Sequence, residues 1–373
     1  MKSLQLLYRV FTSGIYPPYL IFFVTSKCNS RCKTCFYWRE IENRNPEEEL
    51  TLSEICKIAK NYKCAPFVSF SGGEPFLRED LAEICECFSK FSKSKFFNIP
   101  TNCLLPERIY SVSKAILKRC PQAFLQIELS LDGLGKDHDF IRGVDGNFRK
   151  FLDTYQKLLN LKREYKNLKV KINTTISKFN QRKMNGILNF VERKLSVDSF
   201  SASYPHGNPR EPGSIEIDLN LYKQILQKLD KMRRFDVKCN FINMLFRAVH
   251  STAREVILNS IVNAKKIYTC TATKKIIVIN EIGDVFPCEP LFGYKLGNLR
   301  GCKYDIKSIL KSGKTKQFYE SKIKKEECYC TWSCAALSNI VFSPKAYIEV
   351  LTKAIRQMRE CFKGNLNNNS KIS

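Results

Sequence analysis

Residues 19–35 read YLIFFVTSKCNSRCKTC. The first seven form a run of apolar, aromatic and β-branched residues, as in a strand buried on both faces of a parallel sheet. The run ends in a loop that carries thiols at Cys28, Cys32 and Cys35. That spacing lets one short loop wrap three corners of an iron–sulfur cubane and leaves one iron without a protein ligand. An open position of this kind accepts a small chelating molecule. Three unrelated cysteines, or a zinc site short of its fourth ligand, are the competing readings of the loop alone.

Working outward, short apolar strands alternate with amphipathic segments as far as Tyr204. FVSFSGGEP, KFFNIPTN, FLQIELSLDG, LKVKINTTIS and VDSFSASYP read as five further strands. Between them, helices are expected at Thr51–Asn61, Arg78–Phe91, from Pro106, at Phe148–Tyr165 and at Met184–Lys194. Six strand–helix units in series predict a parallel α/β architecture, a partial (β/α)6 TIM-like barrel. Cys28, Gly72, Asn102, Asp132 and Asn173 all fall at or just past strand C-termini, where parallel barrels gather their functional groups. Past HGNPREPG the pattern turns helical (Ile215–Arg234, Phe241–Ala264). A hairpin in KKIIVINEIGDVFP follows, then the cysteine-rich ECYCTWSC and a basic helix over Lys345–Phe362. The expected organisation is an N-terminal amphipathic segment (1–18), a core (19–210), a helical connector (211–265), a cysteine-bearing extension (266–340) and a basic helix with its tail (341–373).

The chain has 373 residues, 17 cysteines and a net charge of +26. It shows no apolar run long enough to span a membrane and no export signal in MKSLQLLYRV, so the reading is a cytoplasmic protein. In a reducing compartment clustered cysteines point to metal or Fe–S ligands rather than to a disulfide scaffold. The lysines are spread along the whole chain, so the charge reads first as solubility and composition and second as a bias toward an anionic partner. Nucleic acid is the less favoured partner. The amphipathic segments Leu4–Phe11 and Ala346–Phe362 fit docking on the barrel or, less commonly, an acidic membrane surface.

One strand–helix unit after the cysteine loop comes SGGEP, residues 71–75. Its glycines allow close backbone approach, and Glu74 supplies a carboxylate able to pair with an ammonium group. The ordered set CNSRCKTC, SGGEPFLR, IPTN, SLDG and HDFIRG resembles the radical S-adenosylmethionine (SAM) superfamily over about Leu20–Tyr204. The resemblance implies that Cys28, Cys32 and Cys35 hold a [4Fe–4S] cluster whose free iron is chelated by SAM. It also implies that Gly72, Gly73 and Glu74 bind the methionine amino group, that Ser130 faces the ribose or carboxylate, that Arg142 faces the carboxylate, and that Phe36 packs near the adenine. Two positions depart from the family habit: Thr34 replaces an aromatic residue, and Cys103 replaces the glycine that often follows the IPTN asparagine.

Near the C-terminus, Cys270, Gly283 and Cys288, with Cys328, Cys330 and Cys334, are similar to the SPASM/twitch extension, whose cysteines hold auxiliary [4Fe–4S] clusters. Five thiols suffice for one such cluster. Cys270, Cys288, Cys330 and Cys334 are the preferred set, with Cys328 as the spare and Cys302 as a competitor. Structural zinc in the same thiolates stays open, because spacing barely separates the two. Glu289, next to Cys288, is a candidate base by the same resemblance, and a solvated or salt-bridged carboxylate is the alternative. His138-Asp139 as a phosphohydrolase metal pair finds no second histidine–carboxylate set. The remaining cysteines (Cys56, Cys64, Cys85, Cys87, Cys103, Cys120, Cys239, Cys361) read mostly as small core residues.

The resemblance implies a radical SAM oxidoreductase or maturase fed by an external electron donor of flavodoxin or ferredoxin type. The leading substrate is a peptide or protein. A small molecule (sugar, lipid precursor or nucleoside) is the alternative, and the charge fits an anionic substrate of either kind. From another class, a non-catalytic Fe–S or zinc RNA-binding protein predicts salt-sensitive RNA binding and no SAM turnover.

Overall fold

The computed structural model describes residues 10–232, 240–325 and 328–369, with side chains through Cys361. The six expected strands form as β1 (Tyr19–Thr25), β2 (Phe67–Gly72), β3 (Phe96–Thr101), β4 (Phe124–Ser130), β5 (Leu168–Thr175) and β6 (Ser199–Ser203). Each pairs in parallel with the next. The crossovers run through α1 (Leu52–Asn61), α2 (Leu81–Phe91), α3 (Pro106–Arg119), α4 (Lys136–Arg142) with α5 (Asn147–Glu164), and α6 (Met184–Lys194). Local chemistry sets the helix starts. Thr51 and Glu54 form a reciprocal capping box on α1, and Pro106 occupies the first turn of α3, where its missing N–H costs nothing.

Side-chain alternation assigns the two faces of this sheet. Phe22, Phe70 and Phe97 point outward, where Phe22 and Phe70 meet Phe88 of α2 and Phe70 meets Phe97. Leu125, Ile127 and Leu129 of β4 and Leu168, Val170 and Ile172 of β5 are likewise buried in the core under the helices. The opposite face of β2–β6 carries half-buried polar residues and is the concave, inner one.

The sheet does not stop at six strands, and it does not close. β7 (Ile276–Ile279) adds in parallel to the free edge of β1, and β8 (Asp284–Phe286) and β9 (Gly297–Asn298) follow antiparallel. The order is β6-β5-β4-β3-β2-β1-β7-β8-β9. The hairpin expected as part of a separate extension is thus continuous with the core sheet. Pairing satisfies the backbone groups that β1 would otherwise leave as an open edge. Gly283 turns the hairpin at φ +84°, a conformation that favours glycine.

The longer helices past β6 are α7 (Leu219–Lys231), α8 (Phe241–Asn263), α9 (Ser333–Val341) and α10 (Pro344–Asn369). Met244 and Ala248 of α8, Ile340 of α9, and Ala346, Val350 and Ala354 of α10 share a second apolar cluster, so α10 docks on the protein. No helix among the described residues is long and apolar enough to cross a membrane. The N-terminal amphipathic segment lies mostly outside the described residues, as does Cys239. Cys85, Cys103 and Cys120 are buried, as small core residues are. Cys56 and Cys87 depart from that expectation: helix packing brings them to a Cα–Cα distance of 5.5 Å, and they form a disulfide between α1 and α2.

Candidate active site

The cysteine loop leaves β1 at its C-terminal end and is fixed by backbone contacts from two sides. On one side, the end of α4 receives it: Arg31 and Lys33 donate their N–H groups to the carbonyls of Arg142 and Ile141, at 3.2 and 2.9 Å. Ser30 Oγ donates to the same Arg142 carbonyl (2.7 Å) and lies 3.1 Å from Cys32 Sγ. On the other side, Gly73 and Glu74 donate their N–H groups to the carbonyls of Thr25 and Lys27, each at 2.8 Å. A Cβ on Gly72 would meet the Thr25 carbonyl oxygen at 2.2 Å, and one on Gly73 the Lys27 carbonyl oxygen at 2.1 Å. The two glycines of SGGEP are therefore required by the approach of β2's end to the cysteine loop.

Cys28, Cys32 and Cys35 lie within electrostatic reach of one another. Burial first, then the neighbouring Cys32, pushes the Cys28 and Cys35 thiols up to about 12. Such thiols become ligands by exchanging their protons for metal. Arg142 supplies the nearby positive charge. Burial opposes its ionisation, but Cys32 and Asp132 outweigh burial and keep the guanidinium protonated. Its Nη1 lies 3.1 Å from Asp132 Oδ2, and its buried Nε has no hydrogen-bond partner. Among the described residues no three His, Cys, Asp or Glu side chains converge on a single-ion site.

The Glu74 carboxylate is not presented to a ligand in the way the sequence suggests. It is 1% exposed. Its oxygens accept from Thr101 Oγ1 (2.9 Å), the Asn102 N–H (2.7 Å) and the Phe76 N–H (3.2 Å). Burial raises its pKa to about 7 against these hydrogen bonds. Glu74 thus braces SGGEP against IPTN, and it is the backbone of this turn that faces the cysteine loop. Asn102 completes the brace by donating to Asn29 Oδ1 (2.7 Å) and toward Cys28 Sγ (3.9 Å). Cys103, one residue on, sits at φ +67°, a conformation in which glycine carries no strain.

Ser130 ends β4 opposite Asn173 of β5. Phe36 packs in an aromatic group with Phe23, Phe292 and the ring of His206, the last at a centroid distance of 4.5 Å. His206 was not singled out in the sequence. It lies just past β6, and its Nε2 is 3.2 Å from Glu289 Oε2. His138 is a structural residue: its ring bridges the Asp132 N–H and Asn147 Oδ1, and Asp139 accepts from the N–H groups of Gly146 and Phe148 at the start of α5.

The C-terminal thiols divide differently from the sequence-based preference. Cys270, Cys288, Cys328 and Cys330 line one cavity, walled also by Phe318, Ile323 and Ala335. Burial leads in raising the Cys288 thiol, followed by Cys330, Cys270 and Cys328, so these four interact as a set. Cys334 does not line that cavity. It accepts from the Tyr19 hydroxyl at 3.6 Å and is raised to about 12 by burial and then by Glu289. Cys302 donates to backbone carbonyls of its own turn and takes no part.

An open α/β barrel with a three-thiol loop at one strand end defines a class of cluster-binding enzymes, and the comparisons with known proteins specify it. Residues 22–191 match the Radical SAM superfamily. Members use a [4Fe–4S] cluster and SAM. The chain is 30% identical over 179 residues to the GTP 3′,8-cyclase of Clostridium perfringens, covering 46% of this chain and 51% of that protein. The chain thus spans about half the length of the curated relatives it matches. Two solved structures share the fold over more of the chain. One is anSMEcpe with bound AdoMet (TM-score 0.59, 17% identity, 92% of this chain and 98% of that one). The other is Streptococcus suis SuiB bound to precursor peptide SuiA (TM-score 0.58, 16% identity, 92% and 77%).

Proposed function

We propose that this radical SAM enzyme is a maturase of SPASM/twitch type that modifies a peptide or protein. The observation that carries the reading is the cavity shared by Cys270, Cys288, Cys328 and Cys330, in a segment whose hairpin extends the barrel sheet through β7. The likeness of more than nine-tenths of the chain to anSMEcpe and SuiB, each also solved with a peptide, supports it.

Cys28, Cys32 and Cys35 would hold the first cluster, and the four cavity thiols an auxiliary one. When bound, the first cluster and SAM supply one-electron reduction and hydrogen-atom abstraction, and the auxiliary cluster supplies an electron acceptor. The chain's own residues do the rest. The Gly72–Glu74 backbone borders the methionine end of SAM, and Arg142, with its unpartnered buried Nε, holds the SAM carboxylate. Ser130 faces the ribose, and Phe36 packs on the adenine. Glu289, whose Oε2 lies 3.2 Å from His206 Nε2, accepts the proton that a substrate loses on oxidation. A reduced flavodoxin or ferredoxin in the cytoplasm feeds the site.

A second reading, a small-molecule enzyme, is favoured by the sequence match to GTP 3′,8-cyclases. Anaerobic reconstitution with iron and sulfide tests both readings. About eight irons per chain and reductant-dependent formation of 5′-deoxyadenosine support the proposal. A Cys32→Ala protein that still forms 5′-deoxyadenosine, or a loaded protein that forms none, would overturn it.

A further inference from the structure

The inner face of β2–β6 is a ladder of polar side chains, each reaching to the next strand. Near the N-terminal ends, Asn98 Nδ2 donates to Ser69 Oγ (3.1 Å), and Gln126 Nε2 donates to Asn98 Oδ1 (2.8 Å). Near the C-terminal ends, Ser201 and Ser203 donate to Asn173 Oδ1 at 2.7 and 2.8 Å. Between these rows lies one charged rung. Glu128 and Lys171 are direct cross-strand neighbours, their side chains meet at 2.9 Å, and those side chains are only 15% and 22% exposed.

The register places this rung relative to the SAM site. Ser130 pairs with Asn173, so Glu128 and Lys171 lie two residues deeper, about 6.6 Å along the strands. The space next to them is bounded by groups from other elements. Glu128 and Glu289 both act on the Tyr19 hydroxyl, and Lys171 acts on Cys334. Desolvation, then the charges of Lys171 and Arg254, lower the pKa of His250 in α8 to about 4.

We infer that Glu128 and Lys171 form the substrate-recognition rung of this enzyme, and that the rung takes a neutral dipolar group, a peptide bond, rather than a polyanion. The inference rests on the proposed function and names the residues that select its substrate class. A peptide group offers a carbonyl acceptor to the ammonium and an N–H donor to the carboxylate, so it inserts between the two charges without leaving either unpaired. A triphosphate would need several free cations. Among the described residues the inner face of β1–β6 carries two lysines, and both are already paired, Lys171 with Glu128 and Lys169 with Asp198.

The test uses reconstituted holoenzyme and reads the rate of 5′-deoxyadenosine formation with a probe, divided by the same protein's rate without it. The probes are an end-blocked random hexapeptide library and GTP. For the natural sequence the library is expected to raise the ratio at least threefold and GTP to leave it near one. Lys171→Met and Glu128→Gln are expected to bring the library ratio back to near one, and Lys171→Arg to keep at least half of the stimulation. Lys114→Gln, on the outer helix α3, serves as the control. Iron content and far-UV circular dichroism confirm that each protein is loaded and folded, and the conservative Lys171→Arg carries the test if Lys171→Met does not fold. Stimulation by GTP, no stimulation by peptides, or peptide stimulation unchanged in Lys171→Met and Glu128→Gln would each overturn the inference. Absence of any 5′-deoxyadenosine from the natural sequence would instead sink the radical SAM reading itself.

Discussion

The Nε2 atom of His206 lies 3.2 Å from Oε2 of Glu289. This contact ties the loop after the last barrel strand to the residue that follows Cys288. The His206 ring also contacts Phe36, beside Cys35, and lies 6.4 Å from the ring of Trp332, which stands between Cys330 and Cys334. One imidazole therefore meets side chains from both cysteine regions, and it stands beside the carboxylate proposed as the proton acceptor.

If Glu289 accepts the substrate's proton, Glu289→Gln is expected to lower the product formed per 5′-deoxyadenosine by roughly 100-fold or more. His206→Ala, which only releases the carboxylate from its position, is expected to lower the same ratio about tenfold. Quantifying product and 5′-deoxyadenosine in one assay checks both. An unchanged ratio in Glu289→Gln would leave that residue a salt-bridged carboxylate.

Cys328 and Cys334 exchange roles between sequence and structure, and substitution separates them. Cys328→Ser is expected to reduce reconstituted iron from about eight to about four per chain, while Cys334→Ser keeps about eight. The reverse pattern would restore the preference read from spacing alone.

Arg142→Met removes a guanidinium with an unpartnered buried Nε and strands Asp132, which also accepts from the Thr175 N–H. The expected outcome is a loss of SAM affinity of roughly 10- to 100-fold, about 1.4 to 2.8 kcal/mol, measured by equilibrium dialysis of the loaded protein.

Gly73→Ala forces a Cβ against the Lys27 carbonyl oxygen at 2.1 Å, backbone against backbone. A destabilisation of about 3 kcal/mol and a poorly loaded first cluster are expected, read by urea unfolding and iron content. A fully loaded Gly73→Ala protein of unchanged stability would show that the turn relaxes.

His138 predicts a pH dependence. Burial, then Arg142, lowers its pKa from 6.5 to about 4, so between these values the unfolded chain binds a proton that the folded one does not. The contribution is full above pH 6.5 and is lost as the pH falls toward 4, by about 3 kcal/mol. Urea midpoints of the metal-free protein should fall over that window, and should fall less in His138→Gln.

The barrel was legible because its signals are local. YLIFFVT, LKVKINTT and their companions announce strands by composition and alternation, and CNSRCKTC places three thiols within one loop's reach. The roles read less well were those decided by distant partners. Glu74 reads as a ligand-facing carboxylate until Thr101 and Asn102, a strand–helix unit later, occupy it. Cys56 and Cys87 read as unconnected because only the packing of α1 on α2 brings them together. The polar inner residues of β4 and β5 alternate plainly, but no pattern in either strand shows that Glu128 faces Lys171.

By itself, then, the sequence determined the order of strands and helices, the three-thiol loop and the turn glycines, because each depends on residues a few positions apart. Only the tertiary structure decided which four C-terminal thiols share a cavity, that Glu289 meets His206, and that β7 continues the barrel sheet. Those outcomes turn on chain segments far apart in sequence that are brought side by side by burial of the core and by pairing along the β1 edge, and spacing along the chain carries no record of such contacts.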